Sequence, residues 1–280
     1  MRSIPAVTGQ KFMVTSNSQN TQKKLSIQVS LNGLSFCILD ESSKSVVFSK
    51  TLNFEKQLDP IKLLSKIELE YENESRLNQP VDDVKVIFSN ALFTLVPEEL
   101  FSEEQASSFL KFNAKILKTD FVAFDKLSEG IVNVYIPYAN ITNYFFDKYG
   151  EFEYQHSMSV LIETFLQQEQ GTAKAFLHCQ PNHFELVIIE KGKLLFANSF
   201  EYETSEDFLY YLLFTAEQLG MDPEDFELVL CGNISNDAEA YKLAWNYIKN
   251  ISFAGPLHSF TFDTSKEQNE QAGFLLLNSF

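Results

Sequence analysis

Residues able to do chemistry gather at a few turns of this 280-residue chain. His178, Cys179 and His183 flank the turn 180–183, and two imidazoles with a thiolate are zinc ligands by type. Alternate residues of a strand face opposite sides, so His178 and Cys179 point apart, and no fourth ligand follows nearby. The pattern favours buried strand residues over a metal centre. Asp40 and Glu41 end one apolar run, and Glu201, Glu203, Glu206 and Asp207 cluster where another meets a helical segment. Carboxylates at a helix N-terminus are stabilised by its dipole, so capping and solvation explain this cluster more simply than acid–base work. The chain contains no GxSxG, HExxH or GxxxxGK(S/T) sequence, which leaves serine-hydrolase, zinc-protease and P-loop chemistry without a motif.

These residues need elements to hold them. Residues 173–254 read strand, strand, strand, helix, strand, helix, strand. Runs 173–179, 184–190 and 193–200 are rich in apolar and β-branched residues, separated by Gln180-Pro181-Asn182-His183 and by Lys191-Gly192, both turn chemistries. Residues 205–219 switch to helical spacing, with Phe208, Tyr211, Leu212 and Thr215 on one face. The aromatic stripe over 208–214 predicts core. Run 226–231 is too densely apolar for a one-sided strand and predicts a buried central one; 237–249 predicts a second helix.

The same order occurs near the N-terminus. Runs 25–31, 34–40 and 45–54 predict a meander, with Asn32-Gly33 as a type I′ turn. Residues 59–71 predict a helix with Pro60 in its first turn and Ile61, Leu64, Ile67 and Leu69 on its apolar side, followed by a buried strand at 84–88. Repetition of one order suggests a duplicated architecture with a cleft between halves. Between the copies, 91–96 predicts a strand stopped by Pro97. Residues 102–112 predict a capped helix, and 120–126 with 131–138 a hairpin around 128–130. Asn140 and Ser157 are expected to cap two further helices, the first ending at Gly150. The expected organisation is a flexible arm over 1–22, domain I over 23–168 with inserted strands and helices, and domain II over 169–280. The last helix, apolar over 272–277, is expected to pack back on domain I.

Hydrophobic residues make up 45% and charged residues 21%, a globular composition of the mixed α/β class. The formal net charge of −16 repels phosphate backbones, and no basic patch offsets it, so nucleic acid is not an expected partner. Cys37, Cys179 and Cys231 sit inside predicted strands without CxxC spacing, as buried thiols of a reducing compartment do. No run approaches the roughly 20 apolar residues that span a bilayer, and residues 1–22 lack a signal-peptide core; a cytoplasmic protein without a membrane span is expected.

Three strands, helix, strand, helix, strand, written twice, resembles the actin, sugar kinase and Hsp70 superfold, with ribonuclease H-like halves. More narrowly, the segments LSIQVSLNGLSFCILD, FLHCQPNHFELVIIEKGKLLFANSF and LVLCGNIS, with the closing QAGFLLLN, resemble a bacterial family of unknown function with an actin-like ATPase fold. The pilus-assembly and type II secretion actin-like proteins are more distant relatives. The resemblance covers roughly residues 25–280.

That resemblance implies nucleotide-binding turns at Asn32 and Gly33, at Gln180 and Asn182, and at Gly232 and Asn233. In active members, the hairpin amides cradle phosphate while a carboxylate holds Mg²⁺ or orients the attacking water. Here the first hairpin keeps its glycine without the acid, the second has neither, and the double glycine of the third motif is reduced to Gly232. The expected function is a degenerate scaffold or assembly protein that binds an unidentified protein partner, with no cofactor required and ATP–Mg²⁺ at most weakly held. The alternative is an active ATPase or kinase using displaced carboxylates such as Asp40 or Asp237. Exposed sheet edges admit a homodimer.

Overall fold

The protein is described by a computed structural model over residues 22–112, 116–117, 120–168, 171–262 and 273–280. The arm expected over 1–22 lies outside these residues save Gln22, as does the polar run 263–272. The order along the chain is β1 (Lys23–Ser30), β2 (Gly33–Asp40), β3 (Ser45–Asn53), α1 (Pro60–Asn73), β4 (Asp83–Phe88), β5 (Phe93–Pro97), α2 (Ala106–Leu110), β6 (Ala123–Leu127), β7 (Ile131–Tyr135), α3 (Ala139–Tyr149), β8 (Glu153–His156) and α4 (Ser157–Leu166). Then follow β9 (Lys174–Cys179), β10 (His183–Glu190), β11 (Lys193–Glu201), α5 (Ser205–Gln218), β12 (Glu227–Gly232), α6 (Glu239–Trp245), β13 (Asn250–Phe253), β14 (Thr261–Phe262) and α7 (Phe274–Leu277). The elements form two compact units.

The first unit comprises described residues 22–159, 259–262 and 279–280. Its main sheet has the order β14-β3-β2-β1-β4-β8. β1 runs antiparallel to β2 and parallel to β4, and it is buried from Leu25 to Ser30 although its sequence alternates apolar and polar residues. Asp59 caps α1, its carboxylate accepting from the Lys62 N–H at 2.8 Å, with Pro60 just inside. The buried face of α1 is Leu63, Ile67 and Tyr71, stepping by four. The expected face was wrong by part of a turn. Ile61 is 75% and Leu69 43% exposed, because Tyr71 must reach Phe36 and the rings of α3, and that fixes the helix rotation.

The inserted segment builds a small sheet, β5-β7-β6, over Val96, Ala106, Leu110, Phe124, Val132 and Val134. Its hairpin turns where expected, with Glu129 and Gly130 both at positive φ. Helix α2 is shorter than the 102–112 segment, and Phe112 is exposed. Asn140 does not cap α3. Tyr138 holds the cap position, and Asn140 Nδ2 donates to the Pro60 carbonyl at 2.7 Å.

A buried polar cluster anchors the start of α4. Asp125 Oδ2 accepts from Ser159 Oγ at 2.6 Å and from the His156 N–H at 3.0 Å, and Tyr135 donates to Oδ1 at 3.2 Å. His156 Nδ1 accepts from the Met158 N–H at 3.1 Å, which places the ring proton on Nε2, donating to the Asn90 carbonyl at 3.0 Å. Burial outweighs these donors and pushes the Asp125 carboxyl up to about 6.

The second unit comprises described residues 160–258 and 273–278. Its sheet has the order β11-β10-β9-β12-β13, with β9 antiparallel to β10 and parallel to β12. One face packs on α5 and α6 through Leu177, Cys179, Phe184, Phe208, Leu212 and Leu230. On the other face, Phe176 stacks on Phe165 at 4.2 Å and Phe274 lies 5.7 Å from Phe165. Thr204 and Asp207 form a capping box at the start of α5. Lys191 and Gly192, both at positive φ, make the two-residue turn between β10 and β11.

Candidate functional site

The candidate residues lie at strand ends in each unit. In the first unit, Ser30 pairs with Gly33, so the hairpin loop is Leu31-Asn32 and Gly33 opens β2. None of the three has positive φ, and the type I′ turn expected at Asn32-Gly33 is not formed. The glycine answers a different demand. Gly33 pairs with Asn53 of β3, and a Cβ on it would stand 3.0 Å from the Leu52 carbonyl oxygen. The loop is tied to the chain after β3, as the Phe54 N–H donates to the Asn32 carbonyl at 2.9 Å and the Leu58 N–H to the Leu31 carbonyl at 2.8 Å. Asn32 Oδ1 is shielded from solvent and accepts no hydrogen bond among the described residues. An acceptor there suits a donor such as a hydroxyl or ammonium group, not the oxygen of a phosphate.

In the second unit, Gln180, Gly232 and Asn233 converge on the end of β9. Gly232 has φ +84°, and a Cβ on it would fall 2.4 Å from the Cys179 carbonyl oxygen and 2.9 Å from the His178 ring. The Asn233 N–H donates to that same carbonyl at 2.7 Å. Asn182 sits at the tip of the β9–β10 loop, where its carbonyl accepts from the Tyr202 N–H at 3.1 Å while the Tyr202 hydroxyl donates to the Gln180 carbonyl at 2.9 Å.

Beneath this loop lies a pair that sequence reasoning missed. His178 and Glu185 face each other across β9 and β10, both buried, with Nδ1 and Oε2 2.8 Å apart. Gln180 Nε2 is 3.3 Å from His178 Nε2. An amide NH₂ only donates, so Nε2 accepts and the ring proton sits on Nδ1, donated to Glu185. The signal was available: a hairpin with the turn 180–183 sets residue 178 opposite 185. His178 is thereby engaged in hydrogen bonds, and Cys179 faces the opposite core. Among the described residues no group of three or more His, Cys, Asp or Glu side chains is placed to hold a metal ion.

The alternative carboxylate Asp40 ends β2, whose other end is Gly33. At the usual rise per strand residue it stands about 23 Å from that turn. Its Oδ1 accepts from the Ser42 hydroxyl and the Ser42 and Ser43 N–H groups, which hold the carboxyl below its ordinary range. The donor set at the candidate turns is thus amides, an imidazole and backbone N–H groups. Glu185 is spent on His178, and both glycines are explained by backbone packing. Magnesium with phosphate calls for oxygen ligands, usually including carboxylates, and this set does not fit that group.

No helix among the described residues is long and apolar enough to cross a membrane. No curated protein matches the chain. Among solved structures it is similar to a Bacteroides thetaiotaomicron protein with an actin-like ATPase fold and unknown function, at 25% identity and TM-score 0.73, over 86% of this chain and 94% of that one. The PilM–PilN type IV pilus biogenesis complex matches at 14% identity and TM-score 0.58, over 91% of this chain and 96% of that one. The ethanolamine utilization protein EutJ from Carboxydothermus hydrogenoformans matches at 9% and TM-score 0.50, over 94% and 90%. The last two carry the fold alone. The mixed α/β fold is therefore actin-like, as the sequence resemblance implies. Residues 13–251 match the family described as Protein of unknown function (DUF3822), and the chain belongs to that family.

Proposed function

We propose that this protein is a scaffold or assembly protein of the actin-like fold, built to hold a protein partner rather than to turn over ATP. The observation that carries the reading is the chemistry of the six turn residues. Asn32, Gly33, Gln180, Asn182, Gly232 and Asn233 supply amides and backbone groups, while Asp40 and Glu185 are committed to contacts inside their own units. Without a carboxylate to place Mg²⁺ and aim a water, phosphoryl transfer loses the groups that make it fast.

Two duplicated, ribonuclease H-like domains, one built on each of the two larger sheets, complete this reading. Its support is the order β3-β2-β1-β4 in one sheet and β11-β10-β9-β12 in the other, with a register break after Ile38 in one and after Ile188 in the other. A protein partner fits the family resemblance, since one neighbour of the same fold is solved as a pilus biogenesis complex. A cytoplasmic setting fits the three buried free thiols, and a bacterial one fits the similarity to the Bacteroides thetaiotaomicron protein.

Calorimetric titration of the full chain with Mg²⁺–ATP, alongside a phosphate-release assay, tests the proposal. The expected result is no steady hydrolysis. Steady turnover abolished by Asn32→Ala or Asp237→Asn overturns it and establishes the alternative, an active ATPase using displaced carboxylates.

A further inference from the structure

We propose that two copies of this chain associate through the outer edge of β11, forming one continuous antiparallel sheet across a two-fold axis at Ala197. Strand β11 ends the sheet of the second unit, and among the described residues nothing pairs with its outer side. It is nine residues long, and from Phe196 to Glu201 its register with β10 is unbroken. An open edge of this length is a template for a further strand.

The occupant is argued from charge. On the edge strand itself the basic residue, Lys193, opens the strand and the acidic one, Glu201, closes it, with Lys191 in the turn beside Glu190 of β10 and Glu203 beyond the far end. Residues 194–200 carry no charge. An antiparallel copy turned about Ala197 brings Lys193 to within one residue of Glu201 of the partner subunit, offset by the extra residue at Leu195, with Lys191 and Glu203 of the partner subunit beyond them. Each pair occurs twice by symmetry. In a chain of net charge −16, this edge is self-complementary where most surfaces repel a second copy.

The surface beside the edge has the composition of an interface. Phe196 stacks toward Phe200, Phe200 on Tyr211 of α5 at 5.1 Å, and Tyr211 meets Tyr210, which stacks on Phe214 at 5.7 Å. Tyr210 is 59% and Phe214 47% exposed, against the expectation that this whole stripe is core. Aromatic rings rising from the edge to an open helix face are the anchors that dimer interfaces use. The register break at Leu195 does not close the edge. In the first unit β3 carries the same kind of break near Val47, and β14 still pairs with its Ser45 and Val46.

Sedimentation equilibrium of the full chain, across a concentration series up to about 100 μM, tests this. Wild type is expected to dimerise. Lys193→Glu sets like charges close to each other and is expected to weaken the dimer at least tenfold, and adding Glu201→Lys to it restores the affinity. Tyr210→Glu with Phe214→Glu, both on the exposed face, is expected to give a monomer with an unchanged circular dichroism spectrum. A wild type that stays monomeric throughout overturns the proposal. So does a dimer indifferent to both the charge reversal and the aromatic changes, since it then uses another face.

Discussion

Gly232 stands so close to Cys179 that a Cβ on it would lie 2.4 Å from the Cys179 carbonyl oxygen, in a backbone conformation with φ +84°. Both the contact and the dihedral exclude other residues, and the contact is with backbone that cannot swing aside. Gly232→Ala is expected to cost about 3 kcal/mol or more in urea unfolding. Gly33→Ala, with an ordinary φ and a 3.0 Å contact, is expected to cost only about 1 kcal/mol. Equal costs at the two sites would show that Gly232 is not held by its packing.

The His178–Glu185 pair predicts strong coupling. His178→Leu strands a buried carboxylate and is expected to cost about 3–5 kcal/mol, whereas Glu185→Leu strands one N–H donor and costs about 1–3 kcal/mol. The double variant is expected to be more stable than His178→Leu alone, because no charge is left unpaired. Additive costs in this cycle would mean that the two side chains do not share a proton and a bond.

The order of strands and helices along the chain was legible from apolar runs and turn residues, because those patterns are local. What one-dimensional spacing missed was set by partners far along the chain. The rotation of α1 follows from Tyr71 meeting Phe36 and Tyr149, which no period within 59–71 encodes. Asn-Gly at 32–33 reads as a type I′ turn, yet register places the glycine in the strand, and the left-handed turn falls at Lys191-Gly192. Of the candidate site, the convergence of Gln180, Gly232 and Asn233 on β9 came through the resemblance, while the His178–Glu185 pair needed hairpin register to be seen.

The three cysteines predict a silent thiol assay. Cys37, Cys179 and Cys231 are buried and free, and burial pushes each thiol up, Cys37 to about 12. Native protein is expected to react with Ellman's reagent only at the rate of unfolding, and denatured protein to titrate all three at once. A fast-reacting thiol in the native state would place one of these strands at the surface.

Asp125 gives the stability a pH dependence of unusual sign. Its folded carboxyl is raised from 3.8 to about 6, so between those values the folded chain holds a proton that the unfolded chain has released. Stability from this group is therefore greatest below about pH 4, falls as pH rises to about 6, and is flat above, the reverse of a salt-bridged carboxylate. A rise of that size corresponds to about 3 kcal/mol. His156 and Lys85 also lie near the site, so the measurement is a difference between wild type and Asp125→Asn, whose side chain imitates the protonated acid and does not titrate. Over pH 4 to 7 the unfolding free energy of wild type is expected to fall by about 2 kcal/mol relative to the variant. A difference that stays flat, or that moves in wild type's favour, would show that the donors from Ser159, Tyr135 and His156 outweigh burial and keep the carboxylate charged.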